Sequence, residues 1–251
     1  MIHRPEGNFS YLEGSGTYCR GVLADEGFTL VHATFRHVIP VAQAFEAIRR
    51  HLESADRPMA ALCGAEVRVP QPLTFEGFGT FNKTYIALLD QYGLRQDGRA
   101  TMTRTNVAPL PAAIAPSEPG LFAFTYTAPR ARADDRKAFI VSGAGELKDG
   151  PPTRESIVRV GETTPDAMRE KAEFVMASIE GTLKALGVTW GDATHVNLYT
   201  AYVEGGYLDE AVFARIGPAA HYGLHWMYSK PPIQEIEFEL DVRGTSEELF
   251  L

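Results

Sequence analysis

Three glutamates, Glu235, Glu237 and Glu239, alternate with Ile236, Phe238 and Leu240 in the stretch PPIQEIEFELDVRG, residues 231–244. In a strand, period-two spacing sends the three acids to one face and the three apolar residues to the other. Two readings follow. Either the strand is half-buried with a solvated acidic face, or one carboxylate sits in a poorly solvated pocket. There its raised pKa would suit it to move protons near neutral pH. Histidines form a second set. His221 and His225 are four apart in a segment that reads as a strand, so they share a face without making the helical spacing of a metal pair. Core or interface histidines with satisfied hydrogen bonds account for them, and no metal site is expected. His32, His37 and His195 have no motif around them. Cys19 and Cys63 fall in neither C-x-x-C nor zinc spacing, and Cys63 reads as a small buried apolar residue.

The chain that must position these groups has 251 residues, enough for one large domain or two small ones. Its 24 Lys+Arg and 32 Asp+Glu give a formal net charge of −8. That argues against a nucleic-acid partner, because phosphate binding needs clustered cations. A small anionic substrate needs only a locally placed arginine. The N-terminal MIHRPEGNFSYLEG has no apolar signal region, and no apolar run approaches the ~20 residues of a membrane span. With no need for disulfides, a cytoplasmic protein without a membrane partner is expected.

Residues 17–34 read as two strands around an Asp-Glu-Gly turn. Val41, Ala44, Phe45, Ile48 and Leu52 follow helical spacing over 40–55, with Pro40 in the first turn. MAALCGAEVRV reads as a strand, TFNKTYIALLDQYG as a helix ending at Gly93, and ATMTRTNVAPL and GLFAFTYTA as two more strands. Phe75, Phe78, Phe81 and Tyr85 suggest core or interface packing. The charged APRARADDRK, residues 128–137, reads as a linker. Then the order begins again: KAFIVSGAGEL and ESIVRVGE as strands, a long helix over 165–186 capped by Thr164 and stopped at Gly187, ATHVNLYTAYV as a strand, LDEAVFARIG as a short helix, and HYGLHWMYS and IQEIEFELDV as strands. An internal repeat outranks local propensity. The expected fold is α+β: two tandem modules, 1–128 and 137–251, each a mixed sheet covered on one face by helices.

The passage EFVMASIEGTLKALGVTWGDATHVNLYTA resembles the Rid family, also called YjgF, whose members hydrolyse reactive enamines and imines. The family's Ser-Gly turn is matched by Ser142 and Gly143 in FIVSGAGE, and its final V-E-I-E-A strand by QEIEFEL. The resemblance covers nearly all of the second half and, more weakly, the first. It implies a chorismate-mutase-like module, trimeric assembly and a site made by an arginine and a glutamate. The glutamate carries over to Glu235. The arginine does not carry over in the second half, where PAAHY has Ala220 at its place with His221 beside it, so His221 could line the pocket instead. The first half shows the reverse: TMTRTNVAPLP puts Arg104 at the arginine position, while GLFAFTYTA has no acid. Arg20, in GTYCRG, falls near a family pocket region but reads as a surface strand residue.

One working site built from two incomplete halves is therefore expected, with Arg104 binding a substrate carboxylate, Glu235 moving protons, and Ser142, Gly143 and His221 lining the pocket. An arginine fork suits a carboxylate through two parallel N–H···O bonds. The resemblance implies a cofactor-free homotrimeric deaminase of a carboxylated, aminomuconate-type enamine or imine. The alternatives are a non-catalytic ligand-binding or interaction protein on the same scaffold, or a chorismate-type lyase or hydrolase on the same superfold.

Overall fold

The computed structural model describes residues 1–131, 136–150 and 152–251. Strands β1 (Ile2–Arg4), β2 (Phe9–Leu12) and β3 (Gly21–Ala24) lead into β4 (Phe28–Pro40), α1 (Val41–Ser54), β5 (Leu62–Arg68) and α2 (Phe75–Gln91). A two-stranded ribbon, β6 (Arg95–Gln96) and β7 (Arg99–Ala100), precedes β8 (Thr103–Pro109) and β9 (Gly120–Pro129). The remainder comprises β10 (Phe139–Gly145), α3 (Pro165–Leu186), β11 (His195–Thr200), irregular helical turns over 209–222, β12 (His225–Lys230), β13 (Phe238–Gly244) and β14 (Glu247–Phe250).

Twelve strands form one mixed sheet in the order β1-β2-β3-β10-β13-β11-β12-β8-β5-β9-β4-β14. In its first half β5 runs parallel to β8 and antiparallel to β9, which pairs antiparallel with β4. In its second half β11 stands in the same senses to β12 and β13, and β13 to β10. Each half also borrows an edge: β3 from the N-terminal part pairs with β10, and β14 from the C-terminus pairs with β4. Helices cover one face. Val41, Ala44, Phe45, Ile48 and Leu52 of α1 join Tyr85 and Leu89 of α2 in one core; Ala172, Val175, Met176, Ile179 and Leu183 of α3 meet Phe238, Leu240 and Val242 of β13 in another. Among the described residues no helix is long and apolar enough to cross a membrane.

Several local expectations change. The helix expected from residue 80 begins at Phe75, because Thr74 caps it by accepting from the Gly77 amide. Pro40 ends β4 and precedes α1 instead of occupying its first turn. ESIVRVGE is not a strand: residues 154–156 form a 3-10 turn, and only Ile157 bridges to Leu147. The strand expected at 221–229 begins at His225, since 217–222 is 3-10 helix. The last strand begins at Phe238, five residues late. Part of the expected linker, 132–135, lies outside the described residues.

The late start of β13 has a cause in the core. Glu146 and Lys171 are both fully buried and pair at 3.0 Å. The Glu146 carboxylate also accepts from the backbone amides of Glu237 (2.6 Å) and Phe238 (3.0 Å), and Lys171 donates to the Val158 carbonyl at 2.8 Å. One carboxylate thus ties α3, β10 and the first residue of β13 together. Burial pushes its pKa up, against the pull of Lys171. Breaking a buried pair leaves an uncompensated charge and costs about 3–5 kcal/mol. Lys171→Met is expected to lose roughly that much stability, read as a lower urea midpoint at pH 7; an unchanged midpoint would show that the pair does not hold this corner.

Candidate active site

Arg104 is the second residue of β8 and is 5% exposed. Strand alternation turns its side chain toward α2, where Phe78, Phe81 and Tyr85 recur at helical spacing. The guanidinium carbon sits 5.4, 5.7 and 5.0 Å from those three ring centres, and 5.8 Å from that of Tyr18. Nη1 donates to Asn82 Oδ1 at 2.9 Å. Among the described residues no carboxylate comes within ion-pair distance of it, so a five-donor fork is buried among aromatic faces with one neutral acceptor. Burial pulls its pKa down, while nearby Tyr85, Tyr18 and Glu239 pull it back. A guanidinium so placed is matched by an anion that brings its own planar pair of oxygens.

The acid that faces Arg104 comes from the other half of the sheet. Glu239, the second residue of β13, is 5% exposed, and its pKa is pushed up to about 8. Burial is the main cause and the Asp241 carboxylate the next; the Asn106 backbone amide and Arg104 oppose them. Asp241 itself accepts from Thr105 Oγ1 (2.6 Å), Asn197 Nδ2 (2.7 Å) and the Tyr199 hydroxyl (2.9 Å). Glu239 therefore changes protonation close to neutral pH, which is what general acid–base work requires.

The seam between β8 and β10 holds the two groups together. The Arg104 amide donates to Ser142 Oγ at 3.0 Å, and that hydroxyl donates to the Cys19 carbonyl at 2.6 Å. The Gly143 amide donates to Thr105 Oγ1 at 3.2 Å. Gly143 is the point of closest approach, since a methyl group there would run into Glu239 Oε1. Arg104, Ser142 and Gly143 are thus brought to one place. Glu235 and His221 are not. Glu235 sits in a turn before β13 with φ +68°, and its exposed carboxylate makes a two-pronged pair with Arg154 at 2.6 Å. That pairing holds its pKa low. His221 is exposed in the 3-10 turn, so it shares no strand face with His225, whose ring instead meets that of His195 at 4.9 Å. Arg20 is exposed and donates to the Glu13 carbonyl.

Asn82 and Tyr18 carry no signal in the sequence, and neither Glu239 nor the aromatic wall is marked there as part of a site. The wall had a signal, the 78–81–85 spacing, but such spacing also describes an ordinary core. Glu239 was hidden because the alternation of three acids fixes their common face without saying which one is covered.

Two outcomes are expected. The Glu239 carboxyl ionises near 4.5 when exposed and near 8 when folded, so the native state holds its proton longer and loses stability as pH rises across that window. Glu239→Gln cannot ionise; its urea midpoint should exceed that of the wild type at pH 9 by more than at pH 5. Equal differences at the two pH values would mean that the carboxyl is not buried as described. Gly143→Ala should displace the carboxyl and shrink this pH effect.

The chain matches, over residues 1–249, the model of the family described as 2-aminomuconate deaminase CnbZ. A relative, the 2-amino-5-chloromuconate deaminase of Comamonas testosteroni, is 37% identical over 246 residues, spanning 98% of this chain and 96% of that protein. Among solved structures, a chorismatase covers 93% of this chain and 79% of its own length at 13% identity and a TM-score of 0.45. A putative endoribonuclease of Thermotoga maritima covers 48% of this chain and 92% of its own length at 21% identity and a TM-score of 0.27. The full-length family match and the near-complete relative together place the chain in the 2-aminomuconate deaminase CnbZ family, within the wider Rid family that its motifs resemble.

Proposed function

We propose that the chain is a hydrolytic deaminase acting on a 2-aminomuconate-type substrate, with Arg104 and Glu239 as the working pair. The observation that carries this is a buried guanidinium with no ion-pair partner among the described residues, beside a buried carboxyl whose pKa is pushed up to about 8. The relative's name gives the substrate class: an unsaturated dicarboxylate bearing an amino group.

The steps balance with water alone. Arg104 takes the carboxylate next to the amino-bearing carbon, and its fixed aromatic surroundings orient the molecule. Protonated Glu239 gives its proton to the enamine carbon, leaving an iminium and a carboxylate. That carboxylate removes a proton from water as the water oxygen bonds to the iminium carbon. Glu239 then protonates the nitrogen of the resulting carbinolamine, the C–N bond breaks, and ammonia leaves. The carbonyl oxygen returns its proton to Glu239. Enamine and water become keto acid and ammonia.

The same reading includes a tandem chain, with modules at about 1–128 and 137–251. Its support is the recurring strand order, and the exchanged edges β3 and β14 make the modules interlocked partners. It also includes a cytoplasmic homotrimer. Trp226 and Tyr228, about half exposed on β12, offer an apolar surface that assembly would cover.

Ammonia release from 2-aminomuconate tests the assignment. Glu239→Gln should lower turnover by roughly 10²–10⁴-fold, whereas Glu235→Gln should stay near the wild type. Arg104→Ala should abolish carboxylate binding, and Arg104→Lys should rescue it only in part, because an ammonium cannot form the planar fork. Loss of activity in Glu235→Gln with full activity in Glu239→Gln would return the proton-transfer role to the turn. A wild-type protein that releases no ammonia would sink the function itself.

A further inference from the structure

Asn106 follows Arg104 by two residues on β8, so their side chains share a face. It is 4% exposed. Neither its Oδ1 nor its Nδ2 has a hydrogen-bond partner among the described residues, although both are buried. Leaving both ends of a carboxamide unpaired is costly, and native structures seldom retain it without a use. Its position suggests one. Arg104 lies on one side of it, and the backbone amide of Asn106 itself supports the Glu239 carboxyl. The carboxamide therefore shares the strand face of Arg104, on the residue whose backbone amide meets the Glu239 carboxyl.

We propose that Asn106 reads the nitrogen of the substrate. With the carboxylate on Arg104, the amino-bearing carbon is one bond away. Asn106 Oδ1 accepts from the N–H of the enamine or iminium, and Nδ2 donates to the adjacent carboxylate oxygen. The keto product has no N–H or O–H at that carbon and leaves Oδ1 unpaired, so the site favours the amino compound and lets the keto acid go. This rests on the functional reading above and adds to it a residue that sets amino-over-oxygen specificity. Sites built to hydrogen-bond a polar group discriminate strongly against analogues that lack it.

The test uses an unreactive pair of six-carbon dicarboxylates, 2-aminoadipate and adipate, titrated into the full chain by calorimetry. The wild type should bind 2-aminoadipate at least about tenfold more tightly than adipate. Asn106→Leu should remove that preference: both ligands lose the Nδ2 contact to the carboxylate, but only 2-aminoadipate also loses the Oδ1 contact, so its affinity should fall the further of the two until the ratio is near one. Its urea midpoint should hold or rise, because two unpaired buried polar atoms are removed. Asn106→Ala provides the same binding comparison should the leucine variant not fold. A preference that survives in the folded variant, or no preference in the wild type, overturns the proposal. Because this readout needs no turnover, it is separate from the ammonia assay: a chain that prefers 2-aminoadipate but releases no ammonia keeps the nitrogen reader and loses the reaction.

Discussion

An open strand edge must satisfy its amides, and the edge of β8 does so with groups from the far half of the chain. β12 pairs with β8 only at its C-terminal end, through Ser229 with Pro109 and Lys230 with Ala108. Further back, the Arg104 amide is capped by Ser142 and the Asn106 amide supports Glu239. One edge of β8 thereby meets a hydroxyl from β10 and a carboxyl from β13. The joint that closes the fold and the joint that builds the candidate site are the same.

That arrangement explains why the second face of the sheet is polar yet buried. Glu239, Asp241 and Arg243 alternate with the apolar residues of β13, as an amphipathic strand requires, but the face they share is covered by the first half of the chain. Each charge then needs partners. Glu66 accepts from His32 at 2.9 Å and from Arg68 at 2.9 Å, and Glu248 of β14 takes the other nitrogen of His32 at 2.7 Å. Burial works against the His32 charge, but its hydrogen bonds to the Glu248 and Glu66 carboxylates outweigh it and raise its pKa. The C-terminal strand is thus bound to the first half by charge as well as by its ladder. Against this well-paired background Arg104 differs, because among the described residues no carboxylate comes within ion-pair distance of it.

Rigidity around the pair has two sources. Lys171 and Glu146 fix where β13 begins, and with it the height at which Glu239 meets β8. Above, the segment before α2 is strapped to the segment before β13: the Leu73 amide donates to the Pro232 carbonyl at 2.8 Å, and the Gln234 amide to the Leu73 carbonyl at 2.9 Å. Ile157, Ile233 and Ile236 pack there with Phe75 and Phe78, and Phe78 is also part of the wall around Arg104. Both ends of the candidate site are therefore held by contacts between distant parts of the chain.

The sequence by itself determined the elements with strong periodicity or punctuation: α1 from its apolar stripe, and α3 from Thr164, Pro165 and Gly187. It also singled out Arg104, Ser142 and Gly143, because the order of short motifs survives without tertiary information. Among Glu235, Glu237 and Glu239 it pointed to Glu235, whereas the buried acid beside Arg104 is Glu239. Alternation specifies a face, whereas a pKa near 8 depends on what covers that face, and here the cover is β8 and β10 from elsewhere in the chain. Nor could it foresee that β13 begins at Phe238, since the carboxylate that sets that boundary, Glu146, lies more than ninety residues upstream. Local pattern encodes local geometry; burial and charge pairing across long separations are set only when the chain closes on itself.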